Sequence, residues 1–449
     1  DGRRKSGGKI GVVGYGEGGQ IAFFAAALDQ RIDVALVSGY FESRERNWAE
    51  PIYRNVWSRL KRFGDAEVAS LILPRQLIVE HCPFPNVTGH KGDIVTPDAK
   101  SVEEELARIP KEVGTRPELV ISETGEFSEG ATQRFVGALS ANAWKPTSDA
   151  FLLDLRDGRD EEISQRRVRA MTQLETHVQG LVRNSEHVRD QFFLYQVKPE
   201  FEGGRWSTER RHPIHSRKEF VESSKVYRRR FYEEAMGKFD EPLVAPNPRT
   251  RLVAETDAWR AYDVVLDVHE GLFSWGVLVI PKNLKAGERR PVVVCQHGRQ
   301  GIPRDTIDRH SSAYNDFAAK LAERGFITFA PHNLYRGEDR YRWLDRKANT
   351  IGCTLFSFII AQHDQTLRWL DSLPMVDGDR IAFYGLSYGG ETAVRVPTIL
   401  EKYCLSICSG DFNQWTRKVA STDQNFSFMN TIEWEMPYWN LGHTFDYAE

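Results

Sequence analysis

Short apolar runs alternate with amphipathic stretches over the first 145 residues. Ile10–Val13, Asp33–Val37, Gln76–Glu80 and Glu118–Ser122 read as strands, and Gln20–Leu28 and Ser101–Ile109 as helices. Such alternation predicts parallel strands joined by crossover helices. From about 146 to 250 the pattern changes. Met171, Leu174, Val178 and Leu181 recur at spacings of 3 and 4, an amphipathic helix, among polar and charged stretches. Pro246 and Pro248 mark a boundary. From 251 to 449 the pattern is α/β again. Tyr262–Val268 and Trp275–Ile280 alternate like an antiparallel pair. Pro291–Gln296, Phe326–Ala330, Arg380–Tyr384 and Leu405–Cys408 read as further strands. Helices are expected at the Tyr314, Phe317, Ala318, Leu321 stripe, over Thr350–Leu373 and over Glu391–Leu400. The expected organisation is two α/β units, 1–145 and 251–449, with a mainly helical connector over 146–250.

A repeat links the two outer segments. Gly14-Tyr15-Gly16-Glu17-Gly18-Gly19 and Gly385-Leu386-Ser387-Tyr388-Gly389-Gly390 are one phrase at an offset of 371 residues. Without gaps, the same offset sets Ile10 on Ile381, Ala22 on Ala393, Ser38 on Ser409, Gly39 on Gly410 and Phe41 on Phe412. Each phrase stands between a strand and a helix. The first and third segments therefore read as two copies of one fold, clipped in complementary ways. The chain starts at Asp1 directly before a strand and ends at Glu449 in a helix-like phrase, so both ends read as cut. A signal peptide could precede residue 1, which leaves the compartment open.

Composition narrows the classes. Of 449 residues 41% are hydrophobic and 27% charged, with a net charge of −3. That is enough apolar material for a core, and no global basic balance points to nucleic acid. The Arg228-Arg229-Arg230 cluster reads as a solvated helix face. No apolar run reaches the length of about 18 residues that spans a membrane. The five cysteines make no disulfide framework, and Cys295, Cys353, Cys404 and Cys408 read as small core residues. Cys404 and Cys408 have metal-like spacing but no second pair, and His310, His332 and His363 are scattered, so no metal is expected.

The chemistry centres on Gly385-Leu386-Ser387-Tyr388-Gly389, a G-x-S-x-G phrase between strand and helix. There a tight turn exposes the serine hydroxyl above a sheet, and the small residues let strand and helix approach closely. Gly390 extends the small-residue stretch. The Tyr388 N–H at the helix start can stabilise an oxyanion. Upstream, the strand ending in His297-Gly298-Arg299 stands where a second donor is needed, the Arg299 N–H. One rival reading takes Gly14-x-Gly16-x-x-Gly19 as a dinucleotide fingerprint, with Glu42 on a ribose. Another makes both copies a catalytically dead interaction module. Asp411 and His443 are the alternative acid and base within the chain. Phe412, Trp415, Phe426, Phe428, Trp434, Tyr438 and Trp439 read as the small core of an insert, or as a lid over a sugar or acyl group.

Over about 260 to 449 the chain resembles the α/β-hydrolase superfamily. The order of strand, His-Gly, helix, strand, helix, strand and GLSYGG is similar to the dienelactone-hydrolase and acetyl-xylan-esterase-like branch. The resemblance implies a serine ester hydrolase with a Ser-His-Asp triad, in which Ser387 is the nucleophile. Its acid and histidine would lie beyond Glu449. The first segment resembles the later half of the same fold. Gly16 stands at its nucleophile position, Glu80 is the carboxylate nearest its acid position, and Glu123-Thr124-Gly125-Glu126-Phe127 offers no histidine. That copy is expected to be degenerate. The implied partner is a small-molecule or carbohydrate ester. No cofactor, nucleic acid or membrane is expected, and the oligomeric state is left open.

Overall fold

The computed structural model describes residues 8–86, 92–140, 160–189, 216–337 and 340–410, with Phe192 and Phe412. It is mixed α/β, and its described residues fall into two compact units. The first takes those up to Glu161 with Asn349–Ile351, and the second takes the rest.

The first unit carries a four-stranded parallel sheet in the order β1-β2-β3-β4. Its strands are β1 (Gly11–Tyr15), β2 (Val34–Ser38), β3 (Gln76–His81) and β4 (Glu118–Ile121). Helices α1 (Glu17–Leu28), α2 (Asp65–Ile72), α3 (Ala99–Ala107) and α4 (Glu129–Leu139) alternate with them. All of β2 is buried, as a strand covered on both faces must be. Ala35 and Val37 pack with Phe23, Phe41 and Ile72, whereas Val34 and Leu36 pack with Ile78, Val120 and Ala131.

Helix α5 (Asp160–Arg189) forms where the spacing predicts one. Its stripe of Met171, Leu174, Val178 and Leu181 is nevertheless exposed among the described residues. Helix α6 (Arg217–Arg230) starts at Ser216, whose hydroxyl accepts from the Glu219 N–H. It runs into a π-helical turn, Phe231–Gly237, which delivers Phe231, Ala235 and Met236 to the second unit's core.

The second unit carries a seven-stranded sheet in the order β11-β10-β8-β9-β7-β6-β5. Strands β5 (Arg249–Glu255), β6 (Trp259–His269) and β7 (Leu272–Pro281) form an antiparallel meander. Strand β9 (Ile327–Pro331) pairs antiparallel with β7 and parallel with β8 (Arg290–Gln296). Strands β10 (Val376–Leu386) and β11 (Tyr403–Ser409) complete the parallel part. The helices are α7 (Phe317–Glu323), α8 (Arg340–Thr350), α9 (Leu355–Ser372) and α10 (Tyr388–Ile399).

Three expectations need correction here. The single helix expected over 350–373 is broken at Gly352, whose φ of 74° is left-handed, and α9 starts afresh at the cap Thr354. Tyr314 lies before α7 rather than on it. Cys404 is exposed on β11 and Cys408 only half-buried, although Cys295 and Cys353 are core residues as expected. Among the described residues no helix is long and apolar enough to cross a membrane, and no group of three or more His, Cys, Asp or Glu is set to hold a metal ion.

Candidate active site

Ser387 sits between β10 and α10 with φ 60° and ψ −119°, a conformation that L residues rarely adopt. Its N–H donates to Ser409 O (2.9 Å), and its carbonyl accepts from the Glu391 N–H (3.0 Å). The flanking glycines allow this turn. A Cβ on Gly385 would lie 1.9 Å from Gly389 O, and one on Gly389 would lie 2.5 Å from Gln296 O. The end of β8 therefore presses directly on the start of α10. Gly390 is buried in the first turn of that helix.

The His-Gly turn after β8 lies against the serine. A Cβ on Gly298 would meet Leu386 O at 2.9 Å and Ser387 Cβ at 3.0 Å. The turn is fixed by its own chemistry. His297 Nε2 accepts from the Asn333 N–H (3.0 Å), so Nδ1 carries the proton and donates to Gly298 O (2.8 Å). Burial lowers the His297 pKa from 6.5 to about 4, which keeps the ring neutral. The Gly298 N–H donates to the Tyr314 hydroxyl (2.9 Å). Gln300, with φ 64°, ties the turn to the following loop through Gln300 N–H to Tyr335 O (2.8 Å) and Arg336 Nη1 to Gln300 O (2.7 Å). No hydrogen bond engages the Arg299 N–H among the described residues. Tyr388 is buried, and its ring lies 4.1 Å from that of Tyr335.

The structure thus brings Ser387, Tyr388, Gly385, Gly389, His297, Gly298 and Arg299 to one end of the sheet. Both imidazole nitrogens of His297 are engaged, so this ring shapes the turn. Among the described residues no side chain hydrogen-bonds the Ser387 hydroxyl. Asp411 and His443, the alternative acid and base, lie outside the described residues. So do all the expected lid aromatics except Phe412. Two supporting residues have no motif in the sequence. Tyr314 is reached only by a loop that folds back. Asn333 follows β9 and joins His297 to Thr392 of α10 through an Nδ2 to Oγ1 contact of 3.3 Å. The His-Gly phrase locates the turn but carries no signal for what braces it.

In the first unit the corresponding turn has the same backbone and different contents. Gly16 has φ 57° and ψ −118°, but a Cβ there would lie 2.5 Å from Pro85 Cγ. Proline fills the space a nucleophile would need. Glu80, the last residue of the run expected as the third strand, accepts from Ser38 Oγ (2.5 Å) and from the N–H groups of Phe127 (2.7 Å) and Ser128 (2.8 Å). Its carboxylate anchors the loop that follows β4. Glu42, the ribose acceptor of the rival reading, is bound to Arg44 (2.9 Å), whose Nε also donates to Asp65 (3.0 Å). Burial, reinforced by Glu50 and Asp65 against the opposing pull of Arg44, pushes the Glu42 pKa up to about 7. That carboxylate is committed to a buried ionic cluster.

Residues 275–402 match the dienelactone hydrolase family. No protein of curated function matches the chain. Among solved structures, it is similar to a provisionally assigned acetyl xylan esterase of Bacteroides fragilis. The identity is 18% and the TM-score 0.42, over 56% of this chain and 74% of that one. It is also similar to an acetyl xylan esterase of a Paenibacillus species, at 19% identity and TM-score 0.35 over 57% of this chain and 78% of that one. For acetyl xylan esterase 1 of a Thermoanaerobacterium species the identity is 21% and the TM-score 0.27, over 35% of this chain and 51% of that one.

Proposed function

We propose that the second unit is a serine ester hydrolase that works through an acyl-enzyme on Ser387. The observation that carries this reading is the strained conformation of Ser387 at the start of α10, with the Gly298 backbone against its Cβ. In the proposed reaction the Ser387 oxygen adds to the ester carbonyl as a base takes its proton. The alcohol leaves with a proton, and water then releases the acid and restores the serine. The N–H groups of Tyr388 and Arg299 hold the oxyanion, as donors fixed before the charge develops. Gly385, Gly389, Gly390, His297 and Gly298 keep the two turns in register. Asp411 and His443 are the candidate acid and base within this chain.

The substrate class is a small-molecule or carbohydrate ester, in keeping with the esterase names of the similar structures. Residues 1–145 form a degenerate copy without hydrolytic function, 146–250 connect, and 251–449 carry the site. Gly16 under Pro85 and the engagement of Glu80 support that division of labour. A fluorophosphonate probe tests the reading. We expect labelling of the wild-type chain that disappears in Ser387→Ala. Equal labelling of the variant removes Ser387 from the mechanism.

A further inference from the structure

One row of side chains crosses the second sheet from beside the Ser387 turn to its far edge. His297 follows β8, and its ring centroid lies 5.6 Å from that of His332. The His332 ring in turn lies 5.2 Å from Trp275 on β7, and its backbone N–H donates to Trp275 O (2.7 Å). Trp275 is paired across the sheet with Val265 on β6, and Val265 with Arg249 on β5. Directly opposite residues share a face, so the row is continuous. It ends in a cavity of about 450 Å³ lined by Arg249, Arg251, Asp263, Trp275, Ile302 and Arg304.

Charged and apolar side chains line the cavity together. Arg251 Nη2 and Arg304 Nη2 both donate to Asp263 Oδ2, at 2.8 and 2.5 Å. Two guanidinium groups share one carboxylate, which leaves one positive charge and several N–H donors. Arg251 is 74% exposed and Arg304 45%, so those donors are open to a ligand. Arg249 is already neutralised by Asp267 (2.6 Å). Trp275, Val265 and Ile302 offer an indole and aliphatic surface that suits the C–H face of a pyranose. A monoanion joined to a sugar ring matches both halves.

We propose that this cavity is a distal subsite for a uronic acid residue of an extended carbohydrate ester whose scissile bond lies over Ser387. The inference rests on the esterase reading and gives its substrate a class. Strands lie about 4.8 Å apart, so Arg249 is about 14 Å along the row from His332. One acylated sugar cannot span that length, but an oligosaccharide of a few residues can. The guanidinium groups bind the carboxylate, and Trp275 carries the ring. The sheet between them would orient the chain toward the serine.

The test separates binding from turnover. The Ser387→Ala protein is titrated by calorimetry with a neutral xylo-oligosaccharide and with the same oligosaccharide bearing one glucuronic acid. We expect the acidic ligand to bind about tenfold more tightly, as charge-assisted hydrogen bonds allow, and the preference to shrink as salt is added. Adding Arg251→Gln and Arg304→Gln to that protein should remove most of the preference. Equal binding of the two ligands, or binding of neither, overturns the subsite. Inorganic sulfate competing as well as the acidic sugar overturns the sugar assignment. Fluorophosphonate labelling of the wild-type chain, which needs no sugar, reports separately on the esterase reading.

Discussion

Gly16 and Ser387 hold one backbone conformation, φ/ψ of 57°/−118° and 60°/−119°, in two different units. Their hydrogen bonds also match. Gly16 N–H donates to Ser38 O and Gly16 O accepts from Gln20, while Ser387 N–H donates to Ser409 O and Ser387 O accepts from Glu391. Each pair of partners keeps the 371-residue offset. So does the strand register, since Gly14 pairs with Val37 and Gly385 with Cys408. The turn is thus specified by its glycines and neighbouring carbonyls, independently of the side chain displayed. What differs is what stands over it: Pro85 above Gly16, and the His-Gly turn beside Ser387.

Neighbouring strands make the two copies differ in their tolerance of a methyl group. A Cβ on Gly389 meets Gln296 O at 2.5 Å, whereas one on its counterpart Gly18 meets nothing within 4 Å. Strand β8 supplies the obstruction in the second unit, and β1 has no such neighbour among the described residues. Gly389→Ala should lower stability by about 1–3 kcal/mol, the usual cost of overpacking, and abolish fluorophosphonate labelling. Gly18→Ala should leave both unchanged. Thermal melts and labelling of the two variants give the comparison, and equal effects would contradict this account.

Restoring a serine to the first copy should not restore chemistry. A side chain at position 16 collides with Pro85, whose Cγ lies 2.5 Å from where its Cβ would be. Gly16→Ser in a Ser387→Ala background should melt at lower temperature and take up no probe. Probe uptake at position 16 would mean that the first unit retains a working site.

Much of the fold was readable because both units obey strong periodic rules. The buried run Val34-Ala-Leu-Val-Ser38 and the alternation in β6 and β7 leave little choice of element. The Ser387 turn was readable because its glycines are a steric requirement that the sequence displays directly. The break at Gly352 was hidden inside an apolar pattern that suits one helix as well as two. Tyr314 and Asn333 were hidden for another reason. Each acts on the His297–Arg299 turn by a single hydrogen bond made after the chain folds back, and such contacts leave no local periodicity. The arginine cavity is likewise a cross-strand feature, since Arg251, Asp263 and Arg304 are brought together only by register and by the turn after β8.

Tyr314 offers a direct probe of that turn. Its hydroxyl is the acceptor for the Gly298 N–H, at 2.9 Å, and lies next to the Cβ position of Gly301. Tyr314→Phe keeps the ring and leaves a buried N–H without its acceptor, a loss of about 1–3 kcal/mol. We expect kcat for p-nitrophenyl acetate to fall about tenfold with KM little changed, because the turn positions an oxyanion donor. A change confined to KM would place Tyr314 in ground-state binding.

The Glu42 cluster makes the first unit sensitive to alkali. The Glu42 pKa rises from 4.5 to about 7 on folding, chiefly through burial. A raised carboxylate pKa means that the folded state holds the proton longer than the unfolded one. The stability it contributes is present below about 4.5 and is lost as pH rises through about 7. Glu42→Gln, which is neutral at all pH, should flatten the first unit's stability between pH 5 and 8, where the wild type loses about 2–3 kcal/mol. An unchanged pH profile would show that Glu42 is ionised throughout.

The second unit should respond to acid through its histidines, with the opposite sign. Burial lowers the pKa of His297 and His332 to about 4, and that of His363, whose Nδ1 lies 2.7 Å from Tyr403 Oη, to about 3. Their ordinary value is 6.5, so the unfolded chain takes up protons first as pH falls. Stability attributable to the neutral rings is complete above about 6.5 and is withdrawn steadily toward pH 4. Each tenfold loss of proton affinity on folding corresponds to about 1.4 kcal/mol, so three rings together can remove several kcal/mol over that range. Carboxylates elsewhere also titrate at the lower end, and a variant is needed to isolate the rings. His363 is the best choice because it lies in the core beside Phe383 and Tyr403, away from the Ser387 turn. His363→Phe loses the Tyr403 contact and should be less stable at pH 7. Its urea midpoint should fall less than that of the wild type between pH 7 and 4.5, because one proton-binding site has been taken from the unfolded chain. Parallel pH profiles for the two proteins would mean that His363 is already charged in the folded unit, and the burial argument for it would be wrong.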